Sequence, residues 1–226
     1  MRFPVMPSCP CRFLVILFGL VGLMSPVFAQ SNAPRKDETV GTILVLGDSI
    51  AAGYGVEKDA AFPFVLQRRI KEAHLPFEVV NAGVSGDTTA GGLRRIDWVL
   101  KRPVDFLIIE LGGNDGLRGI PPGETEKNLA GIIERARKKR PGIRIVLAGM
   151  QMPQNMGPEY TREFQAVFPR VAEQEKVKLI PFLLEGVGGI AEWNQADQIH
   201  PNEKGHERVA DNVWAVLKEM LAPPEK

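Results

Sequence analysis

The sequence predicts an α/β fold: one doubly wound, five-stranded parallel sheet with helices on both faces. Three observations predict it. Five short apolar runs recur along the chain, segments of helical period separate them, and the runs are nearly unbroken in Val, Ile and Leu. Such runs suit strands covered on both faces. Residues 42–46 (TILVL) form the first run and 62–73 the first helical segment. Residues 77–80 (FEVV) precede a helix over 89–101, and 104–110 (VDFLIIE) precede one over 124–140. The fourth strand, 144–148 (RIVLA), leads to a helix over 158–176, and the fifth is expected at 179–184 (LIPFLL). The last helix spans 201–221, with Val209, Val213, Leu217 and Met220 on a single stripe. Strictly alternating strands and helices put the strands in parallel.

The first 29 residues read as a cleaved export signal. Arg2 and Arg12 precede an apolar run from Phe13 to Met24, and Val27-Phe28-Ala29 offers a small-residue cleavage site before Gln30. The run falls short of the roughly 20 apolar residues a spanning helix needs. Both cysteines, Cys9 and Cys11, lie inside the segment. The mature chain thus has neither a thiol nucleophile nor a cysteine-based zinc site. Residues 30–41 form a polar, flexible leader, 42–222 a single domain and 223–226 a tail.

The full chain of 226 residues is 44% hydrophobic and 24% charged, which excludes disorder and coiled coil as whole-chain descriptions. Its formal charge of +1 becomes −1 once the two N-terminal arginines leave, so no global field recruits nucleic acid or an anionic membrane. A partner must be recognised at a local site.

Doubly wound sheets bind ligands at the carboxyl ends of their strands. There the chain carries Gly47-Asp48-Ser49-Ile50 after the first strand and Asn81-Ala82-Gly83 after the second. Leu111-Gly112-Gly113-Asn114-Asp115 follows the third, and Asp197-Gln198-Ile199-His200-Pro201 precedes the last helix. A serine hydroxyl needs a base to take its proton and a third group to fix that base's tautomer. Ser49, His200 and Asp197 supply these parts. The Ser49 N–H, the Gly83 N–H and the Asn114 amide are the expected oxyanion donors.

These four blocks, in this order and spacing, resemble those of the SGNH (GDSL-type) hydrolases. Leu111 to Gly119 and the Gln151-Met152-Pro153 region are similar to the branch of periplasmic arylesterases and multifunctional acyl-CoA thioesterase/lysophospholipases. The resemblance implies a flavodoxin-like three-layer α/β/α fold, with Ser49 as nucleophile. It also implies Asp197 and His200 as its partners, and Gly83 and Asn114 in the oxyanion hole. One departure is Ile50, where the family often has leucine.

Each residue also has a plainer use. Ser49 suits a helix N-cap, Asp48, Asn114 and Asp115 suit turns, and Asp197 suits a cap for the final helix. His74 and His206 are expected at the surface. No zinc spacing is matched by Asp197, His200, Glu203 and His206, so no metal or cofactor is implied. Ala51 replaces the second glycine of G-x-S-x-G, which argues against the ordinary α/β-hydrolase fold.

Tyr54, Leu117, Ile120, Met152, Val187 and Ile190 are expected to line the substrate cleft, with Val56 and Met156 nearby. The expected activity is hydrolysis of aryl or short-to-medium acyl esters, extending to thioesters and lysophospholipids, through an acyl-enzyme on Ser49. The expected protein is an exported monomer acting on small-molecule esters in the periplasm or beyond, without nucleic acid or stable membrane insertion. Two alternatives remain open: a polysaccharide deacetylase, and a binding module for lipid or carbohydrate without turnover.

Overall fold

The computed structural model describes residues 40–222; the signal segment, the leader through residue 39 and the tail from 223 lie outside the described residues. Five strands, β1 (Gly41–Gly47), β2 (Phe77–Gly83), β3 (Phe106–Glu110), β4 (Arg144–Ala148) and β5 (Lys178–Ile180), form one sheet in the order β2-β1-β3-β4-β5. Every neighbouring pair is parallel. The chain steps from β1 to one side and then doubles back past it, so the β1/β3 junction is the topological switch point. α2 (Phe62–Glu72) packs with α7 (Glu203–Leu221), and α3 (Thr89–Val99), α5 (Pro122–Lys139) and α6 (Pro158–Gln174) pack in series.

The middle of the sheet is dry. Residues 43–46, 106–109 and 145–148 are buried, together with Val209, Val213 and Leu217 on α7. Side chains of this kind contribute about 1.5–3 kcal/mol each when fully buried. Met220 is only partly covered, and Leu221 takes its place against the core.

Several boundaries differ from expectation for identifiable reasons. β2 runs on through Asn81, Ala82 and Gly83, which pair with Val45, Leu46 and Gly47. β5 stops at Ile180 because Pro181 has no N–H for the ladder, and the chain turns so that Leu183 N–H reaches Gly149 O. α7 starts at Glu203 behind an Asn202 N-cap, whose side chain accepts the Gly205 N–H. Pro201 lies before that cap, in a bridge with Asn194. Two short helices were not expected: α1 (Ser49–Ala52) and α4 (Gly113–Leu117), each starting just beyond a central strand.

Candidate active site

Ser49 opens α1 at the end of β1 and is 9% exposed. Its Oγ lies 2.9 Å from His200 Nε2, although the two are 151 positions apart in the chain. His200 Nδ1 lies 2.6 Å from Asp197 Oδ2. The other oxygen, Oδ1, accepts the N–H groups of Ile199 and His200 at 2.9 and 3.0 Å, so one carboxylate shapes the turn and holds the ring. Burial pushes the Asp197 carboxyl up, but the N–H and ring of His200 and the N–H of Ile199 outweigh it and hold the group at about 2.

The loop bearing this pair is tied down on both sides. Gln195 N–H donates to His200 O, and the Gln195 amide donates to Tyr54 O at 2.7 Å and Pro201 O at 3.0 Å. Tyr54 also lies against the imidazole, ring centroids 4.7 Å apart. Tyr54 thus contacts the candidate base, and it is not among the residues that line the cleft beside Ser49.

At the start of α1, Asp48 Oδ1 accepts the Ile50 N–H and Glu110 Oε2 accepts those of Asp48 and Ala51. The Ser49 N–H has no acceptor among the described residues. Burial pushes the Asp48 carboxyl up to about 6, against the downward pull of the Ile50 N–H, Glu110, His200 and Asn114. Asn114, on α4, directs Nδ2 at Asp48 Oδ2 (3.0 Å) and Asp87 O (2.9 Å), which fixes its amide between the β1 and β2 loops.

Gly83 sits differently from expectation. It belongs to the β2 ladder, its N–H donates to Asn81 Oδ1 at 2.9 Å, and a Cβ there would overlap the backbone of α1. Packing accounts for this glycine, and its donor is spent. Three residues on, Gly86 has φ +78 and an N–H with no acceptor among the described residues. It directly precedes Asp87, whose carbonyl holds Asn114. The signal in the sequence was the Val84-Ser85-Gly86-Asp87 loop, which follows the strand once β2 is drawn to its full length.

Arg95 on α3 joins these parts. Its guanidinium donates to Gly47 O at the end of β1, to Ala82 O on β2 and to Asp87 Oδ2. Asp115 is fully buried and accepts from the N–H and hydroxyl of Thr89, linking α4 to α3.

A cleft of about 390 Å³ opens beside Ser49 and His200. Leu117 and Met152 are among its walls, with Met150, Phe182, Leu184 and Ile199. Ile120 and Ile190 are not among its walls. Ile120 instead presents its carbonyl to the Tyr160 hydroxyl, and Ile190 is exposed. Val187 is fully buried in the core, as is Leu183. Beyond Pro181 the chain alternates, sending 182 and 184 to the cleft and 183 to the core. Val56 is also absent from the walls, and Met156 packs on the core. His206, expected at the surface, is 1% exposed, and its Nδ1 accepts the Phe62 N–H at 3.2 Å.

Known proteins resemble this chain in sequence and in fold. Esterase TesA of Pseudomonas aeruginosa is 45% identical over 182 residues, spanning 80% of this chain and 89% of that protein. An arylesterase of Vibrio mimicus is 37% identical over 89% of this chain and all of its own length. Thioesterase 1/protease 1/lysophospholipase L1 of Escherichia coli K12 is 39% identical over 80% of this chain and 85% of its own. Among solved structures, the psychrotrophic esterase EstA from Pseudoalteromonas sp., inhibited by monoethylphosphonate, superposes with a TM-score of 0.75. It is 31% identical and covers 80% of this chain and 98% of its own. The family model for GDSL-like lipases and acylhydrolases matches residues 45–208, and with these relatives it shows that the chain belongs to the GDSL-like Lipase/Acylhydrolase family.

Proposed function

We propose that this protein is a serine esterase that hydrolyses carboxylic esters through an acyl-enzyme on Ser49. The carrying observation is the continuous line from Ser49 Oγ through His200 to Asp197, with bonds of 2.9 and 2.6 Å. His200 Nε2 takes the Ser49 proton as Oγ attacks the ester carbonyl carbon. The tetrahedral oxyanion is met by the N–H groups of Ser49 and Gly86 and by Asn114 Nδ2, which shares the hydrogen now directed at Asp48 Oδ2. The intermediate collapses as the carbon–alkoxy bond breaks, and His200 returns the proton to the leaving alcohol. Water then gives a proton to His200 and attacks the acyl carbon. The acid departs, and the proton returns to Ser49.

Leu117, Met150, Met152, Phe182 and Leu184 give the cleft an apolar wall suited to an acyl chain or an aryl group. The adaptable methionines suit several chain shapes. This supports aryl and short-to-medium acyl esters first, with thioesters and lysophospholipids as acyl donors open to the same attack at the acyl carbon. The relatives carry esterase, arylesterase and thioesterase/lysophospholipase names, which lend no support to a deacetylase or to a binding module without turnover.

The same reading includes export by the N-terminal segment and a monomeric mature protein. No helix among the described residues is long and apolar enough to cross a membrane. N-terminal sequencing of exported protein is expected to begin at Gln30.

A p-nitrophenyl ester series from C2 to C16 tests the activity. Turnover with a maximum in the shorter half, abolished in a folded Ser49→Ala variant, is expected. A folded wild type inert across the series overturns the proposal.

A further inference from the structure

Glu110 ends the apolar strand β3 and is fully buried, an unusual place for an acid. It is the register partner of Gly47, and a Cβ on Gly47 would overlap its Oε2. That oxygen accepts two N–H groups, from Asp48 at 3.0 Å and Ala51 at 3.2 Å. Asp48 Oδ1 takes the N–H of Ile50, and Asp48 O takes that of Ala52. Between them the two acids and this carbonyl engage every N–H from residue 48 to 52 except that of Ser49.

Beside Glu110 lies Asp48, itself 2% exposed, and neither acid is ion-paired to a cation among the described residues. Two carboxylates cannot both stay charged side by side away from water. Oε2 is occupied as an acceptor, and Oε1 is buried with no partner among the described residues. Oε1 is therefore the oxygen left to carry a proton.

We propose that Glu110 is a positioning residue that works as a neutral carboxylic acid, its carbonyl oxygen holding the nucleophile turn so that only the Ser49 N–H faces the substrate. This rests on the esterase reading above, in which that N–H meets the oxyanion. Burial and the neighbouring Asp48 both raise Glu110 well above the usual carboxylate range, against the two N–H groups that lower it. Of the other titratable groups near the turn, His200 lowers Asp48, and Arg95 reaches Gly47 O while paired with Asp87.

Glu110→Gln keeps a neutral side chain of equal length with an acceptor oxygen, whereas Glu110→Met removes the acceptor. The Gln variant is expected to keep kcat within about tenfold of wild type, while the Met variant loses on the order of 10²-fold in kcat at near-constant KM. Infrared difference spectra of wild type minus Glu110→Gln at neutral pH should show the C=O stretch of a protonated carboxylic acid. A folded Met variant with wild-type kcat overturns the positioning role. A Gln variant as impaired as the Met variant, or a difference spectrum with carboxylate bands alone, overturns the neutral state. If the Met variant does not fold, the Gln kinetics and the spectrum still decide. Fluorophosphonate labelling of wild type separates the two readings: failure to label Ser49 sinks the esterase, while labelling with Glu110 variants unaffected sinks only this proposal.

Discussion

One carboxylate, that of Asp197, both grips the His200 ring at 2.6 Å and receives the backbone N–H groups of residues 199 and 200. In Asp197→Asn the amide can donate to Nδ1, which drives the ring proton onto Nε2 and aims a donor at Ser49 Oγ. The expected loss in kcat is on the order of 10³–10⁴ with KM little changed. Steady-state kinetics check the rate, and ¹⁵N chemical shifts of the His200 ring check the tautomer.

The oxyanion assignment separates Gly86 from Gly83. In a complex with a phosphonate bonded to Ser49, the phosphoryl oxygen is expected within hydrogen-bond distance of the Ser49 and Gly86 N–H groups and of Asn114 Nδ2. Gly83 N–H is expected to stay on Asn81 Oδ1, its present partner. Asn114→Ala should lose on the order of 10²–10³ in kcat. A phosphoryl oxygen seated on Gly83 would refute the assignment.

Residues 152 and 187 should respond oppositely to truncation. Met152→Ala opens the cleft wall and is expected to shift preference along the p-nitrophenyl ester series, read as kcat/KM at each chain length. Val187→Ala leaves a hole in the core. It should lower stability by about 2 kcal/mol in chemical denaturation while leaving the chain-length profile in place.

His206 supplies a pH signature in stability. Burial lowers its pKa to about 4 from the ordinary 6.5, with a smaller push from His200. Between those values the unfolded chain binds the proton and the folded one does not, so the contribution is complete above about 6.5 and lost progressively on acidification toward 4. It amounts to about 2 kcal/mol between pH 7 and pH 5. Asp48 and Glu110, whose folded values are raised, act in the opposite direction, so the informative quantity is wild type minus variant. His206→Asn keeps an acceptor for the Phe62 N–H. The wild-type advantage over it should shrink from pH 7 to pH 5 in urea melts.

The parallel sheet was legible because its interior strands, such as 106–109, are unbroken apolar runs that only a doubly covered sheet can bury. Polar or proline-bearing ends were harder. Asn81 to Gly83 look like a loop yet remain in the ladder, and the run at 179–184 is cut by Pro181. The one-turn helices α1 and α4 are too short to show a period. At the site, residue type and order brought Ser49, Asp197 and His200 into view, since few chemistries use those groups together. The oxyanion glycine depended on where β2 stops, and the cleft walls on an alternation beyond Pro181 that no local pattern announces. Glu110 could have been suspected: an acid closing a fully apolar central strand has nowhere polar to go.

Asp197 and His200 are three positions apart in the chain, whereas His200 and Ser49 are 151 positions apart. The first pairing costs little chain entropy and can form within its own turn, leaving a single distant encounter to complete the trio. Refolding should therefore recover activity in step with docking of the C-terminal third onto the sheet, with no separate slow phase for the acid to find its base.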